Sequence, residues 1–168
     1  IRNTEDKDKL WERLKDGTID CVVTDHAPHT LEAKSVGYPK APAGMPGVET
    51  SLPLMLTHAI DGKCSVSDVV RWMCEGPAKV YNIENKGSLI EGYDGDLTLV
   101  DLETHRTITD ADTWTKVGWT PYDGFELTGL PMWTIVDGIP VHSRTKNGPF
   151  KGKPLVKPGQ TGRSLRFR

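Results

Sequence analysis

The sequence predicts an α/β fold, and three observations support that prediction. A helical pattern around Trp11 ends at Asp16-Gly17, where glycine favours the left-handed conformation that closes a helix. The short, mostly β-branched stretch Ile19–Val23 follows directly and predicts a buried strand. From Gly95 onward, polar and apolar residues alternate, which is typical of strands with one buried face. A helix, a tight turn and a buried strand in this order are typical of α/β proteins.

The first half of the chain contains more helical patterns than strand patterns. The further helices expected there are one from about Val48 to Ala59, one that begins at Ser65 or Ser67 and ends near Gly76-Pro77, and a short one through Ala78 and Tyr81. Residues 30–47, with alternating prolines and glycines, predict a long loop. Loops of this length inside a compact fold are usually functional or disordered.

The second half of the chain predicts strands with open edges. Gly95–Asp101 predicts one strand, and Trp133–Val141 predicts a hairpin that turns at Asp137-Gly138. The stretch Thr109–Gly129 between them is expected to be irregular. One strand in the first half and about three in the second do not complete a sheet, so both halves are interpreted as parts of larger structures.

Composition and charge exclude several classes of partner. The formal net charge is −2, from 21 basic and 23 acidic residues, so we expect neither nucleic acid nor an anionic membrane as a partner. A transmembrane helix needs about 20 apolar residues in a row, and the sequence has no such run. The polar N-terminus does not have the apolar core of a signal peptide, and three cysteines without close spacing are typical of reduced thiols, so we expect a cytoplasmic protein. The first residue is not Met, which is often the case in part of a longer protein.

Candidate catalytic residues follow the predicted strand Ile19–Val23. Asp25 lies just past its carboxyl end, His29 follows four positions later, and His26 lies between them. Active sites of parallel α/β proteins collect at that end of the strands. A carboxylate there can bind zinc or carry a proton for a hydrolytic water. An aspartate after a strand is also commonly a helix cap or turn residue, and a lone histidine is commonly structural. The combination of Asp25, His26 and His29 with the Gly/Pro-rich loop that follows them favours a catalytic role.

Two motifs resemble a known family. Thr24–Glu32 and Ala41–Thr50 resemble the dihydroorotase signature of the amidohydrolase superfamily, in its type I branch. The resemblance extends over about residues 1–152, with further matching segments at Asp16–Asp20, Gly76–Lys79, Gly92–Leu97, Thr120–Gly124 and Gly129–Pro131. It implies a metal-dependent (β/α)8 barrel with a small composite β-sandwich. Residues 1–86 would be the C-terminal segment of the barrel. Residues 87–168 would be C-terminal strands of the sandwich with a segment that returns to the barrel.

The resemblance also implies an activity and site residues. Such enzymes bind one or two zinc ions and reversibly interconvert N-carbamoyl-L-aspartate and dihydroorotate in pyrimidine biosynthesis. By position, Asp25 would bind the metal and exchange a proton with the hydrolytic water and the ring nitrogen. His29 would bind the substrate carboxylate, and the backbone of Ala43 and Gly44 would contact the substrate ring. His26 matches no ligand of the family and is interpreted as structural or supporting.

The family's other metal ligands have no counterpart in this sequence. Its His-x-His motif, its bridging carboxylate or carboxylated lysine and its two further histidines are absent. Catalytic zinc sites need about three protein ligands, so Asp25 alone does not hold zinc. We therefore expect this chain by itself to be inactive and to need the remaining N-terminal part of the enzyme.

Two alternatives to a dihydroorotase, and one question of assembly, stay open at this point. The enzyme could be a relative of hydantoinase or allantoinase, although His29 suits a carboxylate that hydantoins lack. It could be a non-catalytic, dihydroorotase-like partner of aspartate transcarbamoylase. A homodimer is a further assembly that the resemblance leaves open.

Overall fold

Helices precede a small antiparallel sheet in the computed structural model, which describes residues 3–157, 159–162 and 164–167. The described residues form two units, one of residues 3–23, 66–94 and 164–167, the other of residues 24–65, 95–157 and 159–162. None of the described helices combines the length and the apolar character that crossing a membrane requires. The mixed α/β content agrees with the predicted class.

The first unit begins with helix α1, Thr4–Lys15. Acidic residues occupy its first turn and basic residues its last turn, which is favourable for the helix dipole. Asn3 is the extended N-cap residue, and Gly17 follows the helix with a φ of 81°. The prediction of a helix that ends at Asp16-Gly17 is therefore confirmed.

The strand predicted at Ile19–Val23 is wrong for this chain. Residues 20–30 have no regular secondary structure, and the backbone N–H of Val22 donates to the carbonyl of Trp72 at 2.9 Å. Gly76 lies so close to this segment that a Cβ there would stand 2.5 Å from the Asp20 carbonyl oxygen. A strand exists only through hydrogen bonds to neighbouring strands, and the described residues of this unit supply none.

One helical run contains a π-helical turn where the sequence predicted a helix end. Helix α4 (Val66–Val70), the π-helical turn Arg71–Glu75 and helix α5 (Gly76–Val80) follow one another without a break. The predicted end near Gly76-Pro77 is therefore corrected. Pro77 lacks an N–H and its ring would crowd the preceding turn of a regular helix. The wider turn, in which the Gly76 N–H donates to Arg71, accommodates it.

Trp72 is the buried centre of the first unit. Its side chain is 1% exposed, and the ring of Trp11 from α1 meets it edge-on at a centroid distance of 6.1 Å. Edge-to-face pairs of this kind are favourable because the positive ring edge faces the negative ring face. The apolar side of α1 is thereby anchored.

The second unit contains two helices before its sheet. Helix α2 (Leu31–Ser35) lies within the predicted loop and begins where the Thr30 hydroxyl accepts from the Ala33 N–H at 3.2 Å. Helix α3 (Ser51–Ile60) confirms the helix predicted from about Val48, with a later start. The loop prediction is thus correct for most of residues 30–47 but missed one short helix.

Four antiparallel strands form the sheet in the order β1-β2-β3-β4. Their bounds are Leu97–Thr107, Glu126–Val136, Ile139–Ser143 and Lys153–Pro154. The predicted hairpin is confirmed, because Asp137 and Gly138 join β2 to β3 with φ values of 53° and 75°. The irregular stretch predicted as far as Gly129 is too long, since β2 begins at Glu126.

Helix α3 covers one face of β2. The buried side chains of Leu127, Leu130, Ile108 and Phe150 form the core of the sheet, and Leu54 of α3 packs against them. The hydroxyl of Thr57 accepts a hydrogen bond from the Thr128 backbone N–H at 2.9 Å. Helix α3, which follows Ala41–Thr50, is therefore fixed to the middle of the sheet.

Gly129 allows that close approach, and replacing it should destabilise the second unit. A Cβ at Gly129 would stand 2.8 Å from the Cβ of Leu56, and the φ of 87° is unfavourable for any other residue. We expect Gly129→Ala to lower the free energy of unfolding by about 2 to 4 kcal/mol, from crowding plus backbone strain.

Gly138→Ala is the matched control, because its φ is 75° and no atom lies within 4 Å of an added Cβ. It should cost about 1 kcal/mol. Urea unfolding of both variants checks this, and equal losses would contradict it.

Candidate active site

Asp25 occupies an uncommon backbone conformation in the first motif, Thr24–Glu32, which is the signature segment. Its φ is 41°, in the left-handed region that residues other than glycine rarely adopt, and its side chain is exposed. Backbone strain of this kind is concentrated at functional sites, where the surrounding structure holds it in place. An exposed carboxylate thus stands at a position where the backbone is strained.

His26 joins the signature segment to the end of the following loop. Its Nδ1 atom accepts hydrogen bonds from the backbone N–H groups of Gly47 at 3.1 Å and Val48 at 3.3 Å. An Nδ1 atom that accepts carries no proton, so a neutral ring has its proton on Nε2. The imidazole therefore serves as an acceptor for two successive amides.

Gly44 lies against the backbone of Ala27. A Cβ at Gly44 would stand 2.7 Å from the Ala27 carbonyl oxygen and 2.8 Å from its Cβ, and the φ of Gly44 is 103°. Next to this contact, the Ala27 N–H donates to the Met45 carbonyl at 3.2 Å. Both Ala43 and Gly44 are exposed, so their backbone is accessible beside the signature segment. Only glycine permits this approach.

His29 is held through its backbone carbonyl. The indole Nε1 of Trp119 donates to that oxygen at 2.7 Å. The Lys34 ammonium lies 5.9 Å from the centroid of the same indole ring and donates to the Pro42 carbonyl at 2.8 Å. These contacts join residues 29–42 to the segment around Trp119, which fixes the backbone from which the imidazole of His29 extends.

Glu49 forms a second connection between the loop before α3 and the segment that contains Trp119. Its two carboxylate oxygens accept from the backbone N–H groups of Trp114 at 2.7 Å and Thr115 at 2.8 Å.

Glu49 also affects the pKa of Arg144 and lines a pocket. Burial lowers the pKa of the Arg144 guanidinium, and the negative charge of Glu49 partly offsets that shift. A small pocket between these segments is lined by His26, Pro46, Gly47, Glu49, Thr50, Thr113, Thr115 and Thr120.

All four predicted site residues lie in the second unit. The contacts of residues 26 and 27 bring the segment of Asp25 and His29 against the loop of Ala43 and Gly44. No role for Glu49 or Trp119 was predicted from the sequence, and His26 was predicted only to be structural or supporting. The one available signal was that His26 and Glu49 belong to the two motifs that carry the resemblance.

The described residues do not by themselves fit a metal ion. They include no group of three His, Cys, Asp or Glu side chains close enough to hold one. Asp25 is a suitable ligand for zinc, but a catalytic zinc site uses about three protein ligands. Among the described residues, Asp25 would therefore need further ligands to hold such an ion.

Comparison with known proteins establishes the family. Residues 2–138 match the amidohydrolase family, so the chain belongs to that family of hydrolases, which is generally metal-dependent. The dihydroorotase of Pyrococcus furiosus is 38% identical over 166 residues, which cover 98% of this chain and 38% of that protein. The dihydroorotase of Staphylococcus aureus is 40% identical over 139 residues, covering 82% of this chain and 32% of that protein. The chain thus spans well under half the length of these relatives.

Solved structures of related enzymes share the fold. The L-hydantoinase (dihydropyrimidinase) of Arthrobacter aurescens is 36% identical and superimposes with a TM-score of 0.80, covering 94% of this chain and 34% of that one. The dihydropyrimidinase of Brevibacillus agri is 26% identical with a TM-score of 0.81, covering 94% of this chain and 37% of that one. The predicted membership of the amidohydrolases is therefore confirmed.

Proposed function

We propose that this chain is the C-terminal part of a dihydroorotase. Residues 1–86 would complete the (β/α)8 barrel, and residues 87–168 would supply strands of the composite β-sandwich. The observation that carries the proposal is the contact between the segment of Asp25 and His29 and the loop of Ala43 and Gly44. A carboxylate, an imidazole and accessible backbone groups on joined segments suit a small cyclic amide that bears a carboxylate. The identity to dihydroorotases supports the same substrate.

Asp25 would be the proton carrier of the reaction. Hydrolysis of dihydroorotate needs a group that takes a proton from the attacking water and then gives it to the departing ring nitrogen. A carboxylate at the exposed turn of the signature segment is suited to both transfers. In the reverse direction the same group would take a proton from the carbamoyl nitrogen as the ring closes and give it to the departing hydroxide, which leaves as water.

The remaining parts of the site would come from outside this chain. Zinc, as one or two ions, would need ligands beyond Asp25, and the N-terminal part of the enzyme would supply them. The isolated chain should therefore turn over no dihydroorotate. An assay of the purified chain, with the full-length enzyme as positive control, tests this, and robust turnover by the chain alone would contradict it.

His29 would distinguish dihydroorotate from rings without a carboxylate. We expect His29→Ala in the full-length enzyme to lower kcat/KM for dihydroorotate by about 10- to 100-fold, because a hydrogen bond to a carboxylate is lost. Dihydrouracil is the matched control substrate, since it is the same ring without the carboxylate. Its slower hydrolysis should change by less than about threefold.

Hydrolysis of hydantoin or dihydrouracil is the second candidate function. The identity to the Arthrobacter aurescens enzyme favours it. Rates of the full-length protein with dihydroorotate, hydantoin and dihydrouracil separate the two candidates. A preference for the uncharged rings would replace our proposal, and turnover of none of them would favour a non-catalytic partner of aspartate transcarbamoylase. Co-elution with that enzyme in gel filtration would then be the next measurement.

A further inference from the structure

His26 lies next to the proposed proton carrier but touches a different part of the site. We propose that His26 is a positioning residue, which holds the loop of Ala43 and Gly44 in place for substrate binding. The inference rests on the proposed function, because it concerns the loop that would contact the substrate ring. It assigns to His26 a role that acts through the loop and not through the substrate.

The geometry of His26 restrains two successive peptide groups. Its Nδ1 atom accepts from Gly47 at 3.1 Å and from Val48 at 3.3 Å. Two neighbouring N–H groups that point at one atom fix both the distance and the orientation of the backbone between them. This restraint acts at the end of the loop, three residues before α3 begins at Ser51.

A second restraint acts at the other side of the same loop segment. The Ala27 N–H donates to the Met45 carbonyl at 3.2 Å, and Gly44 lies against Ala27 without room for a Cβ. His26 and Ala27 thus hold residues 44–48 at both sides. Since Asp25 directly precedes them, the two restraints set the position of the loop relative to the proposed proton carrier.

The surroundings of His26 indicate that it positions the loop and does not support the core of the second unit. Its side chain is exposed, whereas Pro46 and Thr50 of the same loop are buried. Helix α3 keeps its contact with the sheet through Thr57 and Thr128 in any case. Loss of the Nδ1 acceptor should therefore loosen the loop without unfolding the unit. Small displacements of groups that orient a substrate have large effects on its binding.

Three substitutions in the full-length enzyme test this role. In His26→Asn, the amide oxygen takes about the place of Nδ1, so the acceptor is kept. In His26→Gln, the amide reaches about the place of Nε2, and His26→Leu has no acceptor at all. We expect KM for dihydroorotate to rise about tenfold in the Gln and Leu variants, with kcat changed by less than about threefold. KM should stay within about twofold of the wild-type value in the Asn variant.

Hydrogen exchange gives a readout that does not depend on activity. The amides of Gly47 and Val48 should exchange about tenfold faster in the Gln and Leu variants but not in the Asn variant.

Unchanged exchange in all three variants, or an Asn variant as impaired as the Leu variant, would overturn the proposal. So would a loss confined to kcat. If the Leu variant fails to fold, the Gln and Asn variants make the same comparison. A wild-type enzyme without activity on dihydroorotate would overturn the proposed function, while the exchange rates still test the restraint.

Discussion

Asp25→Asn in the full-length enzyme is expected to lower kcat for dihydroorotate hydrolysis by at least about a thousandfold. The amide has nearly the same shape as the carboxylate, but it neither accepts the proton of the attacking water nor delivers one to the ring nitrogen. The exposed carboxylate at the left-handed turn is the group on which the proposed reaction depends. Steady-state rates in both directions of the reaction are the measurement.

Asp20→Asn is the matched control for this experiment. Asp20 is an exposed aspartate five residues upstream, and it receives the same chemical change. Its variant should retain kcat within about twofold, since it lies outside the site. If Asp25→Asn kept more than a tenth of the wild-type rate, Asp25 would not be the proton carrier.

Gly44→Ala is expected to produce the largest effect on substrate binding. The added Cβ would stand 2.7 Å from the Ala27 carbonyl oxygen, and the φ of 103° strains any residue with a side chain. The loop would have to move away from the signature segment, so KM for dihydroorotate should rise about 100-fold. Crowding and strain together should also cost about 1 to 3 kcal/mol of stability.

Gly37→Ala separates the contact from the strain. Gly37 lies in the same loop with a φ of 75°, but no atom stands within 4 Å of its added Cβ. This variant shares the backbone strain and lacks the crowding, so its KM should change by less than about threefold. Substrate titration of both variants, with thermal unfolding alongside, makes the comparison. Equal increases in KM would show that strain in the loop, and not the approach to Ala27, controls binding.

Short sequence patterns predicted the helix end and the hairpin turn, whose conformations depend on neighbouring residues. The end of α1 at Asp16-Gly17 and the hairpin at Asp137-Gly138 follow from backbone conformations that glycine favours. The strand at Ile19–Val23 failed because its hydrogen bonds require neighbouring strands. The start of β2 was missed because its first residues, with Gly129 and Pro131 among them, do not alternate regularly.

The site residues were predictable only in part. Asp25, His29, Ala43 and Gly44 were predicted because their motifs resemble a known family, and their roles stay predictions. The contacts of His26, Glu49 and Trp119 join residues 21, 65 and 90 positions apart in the sequence. No local pattern encodes a hydrogen bond to a distant backbone group, so only the fold reveals them.

The bond between Trp119 and His29 also bears on the order of events during synthesis. The ribosome makes the signature segment first and the residues that hold it much later, 90 positions along the chain in the case of Trp119. Because chains are extended at about 5 to 20 residues per second, the segment of Asp25 and His29 waits several seconds or longer for the hydrogen bond from Trp119. A nascent chain that ends before residue 114 would contain the signature segment and Glu49. It would lack Trp114, Thr115 and Trp119, which donate hydrogen bonds to Glu49 and to the His29 carbonyl. The contacts that join these segments are therefore completed late in translation, after most of this chain has been made.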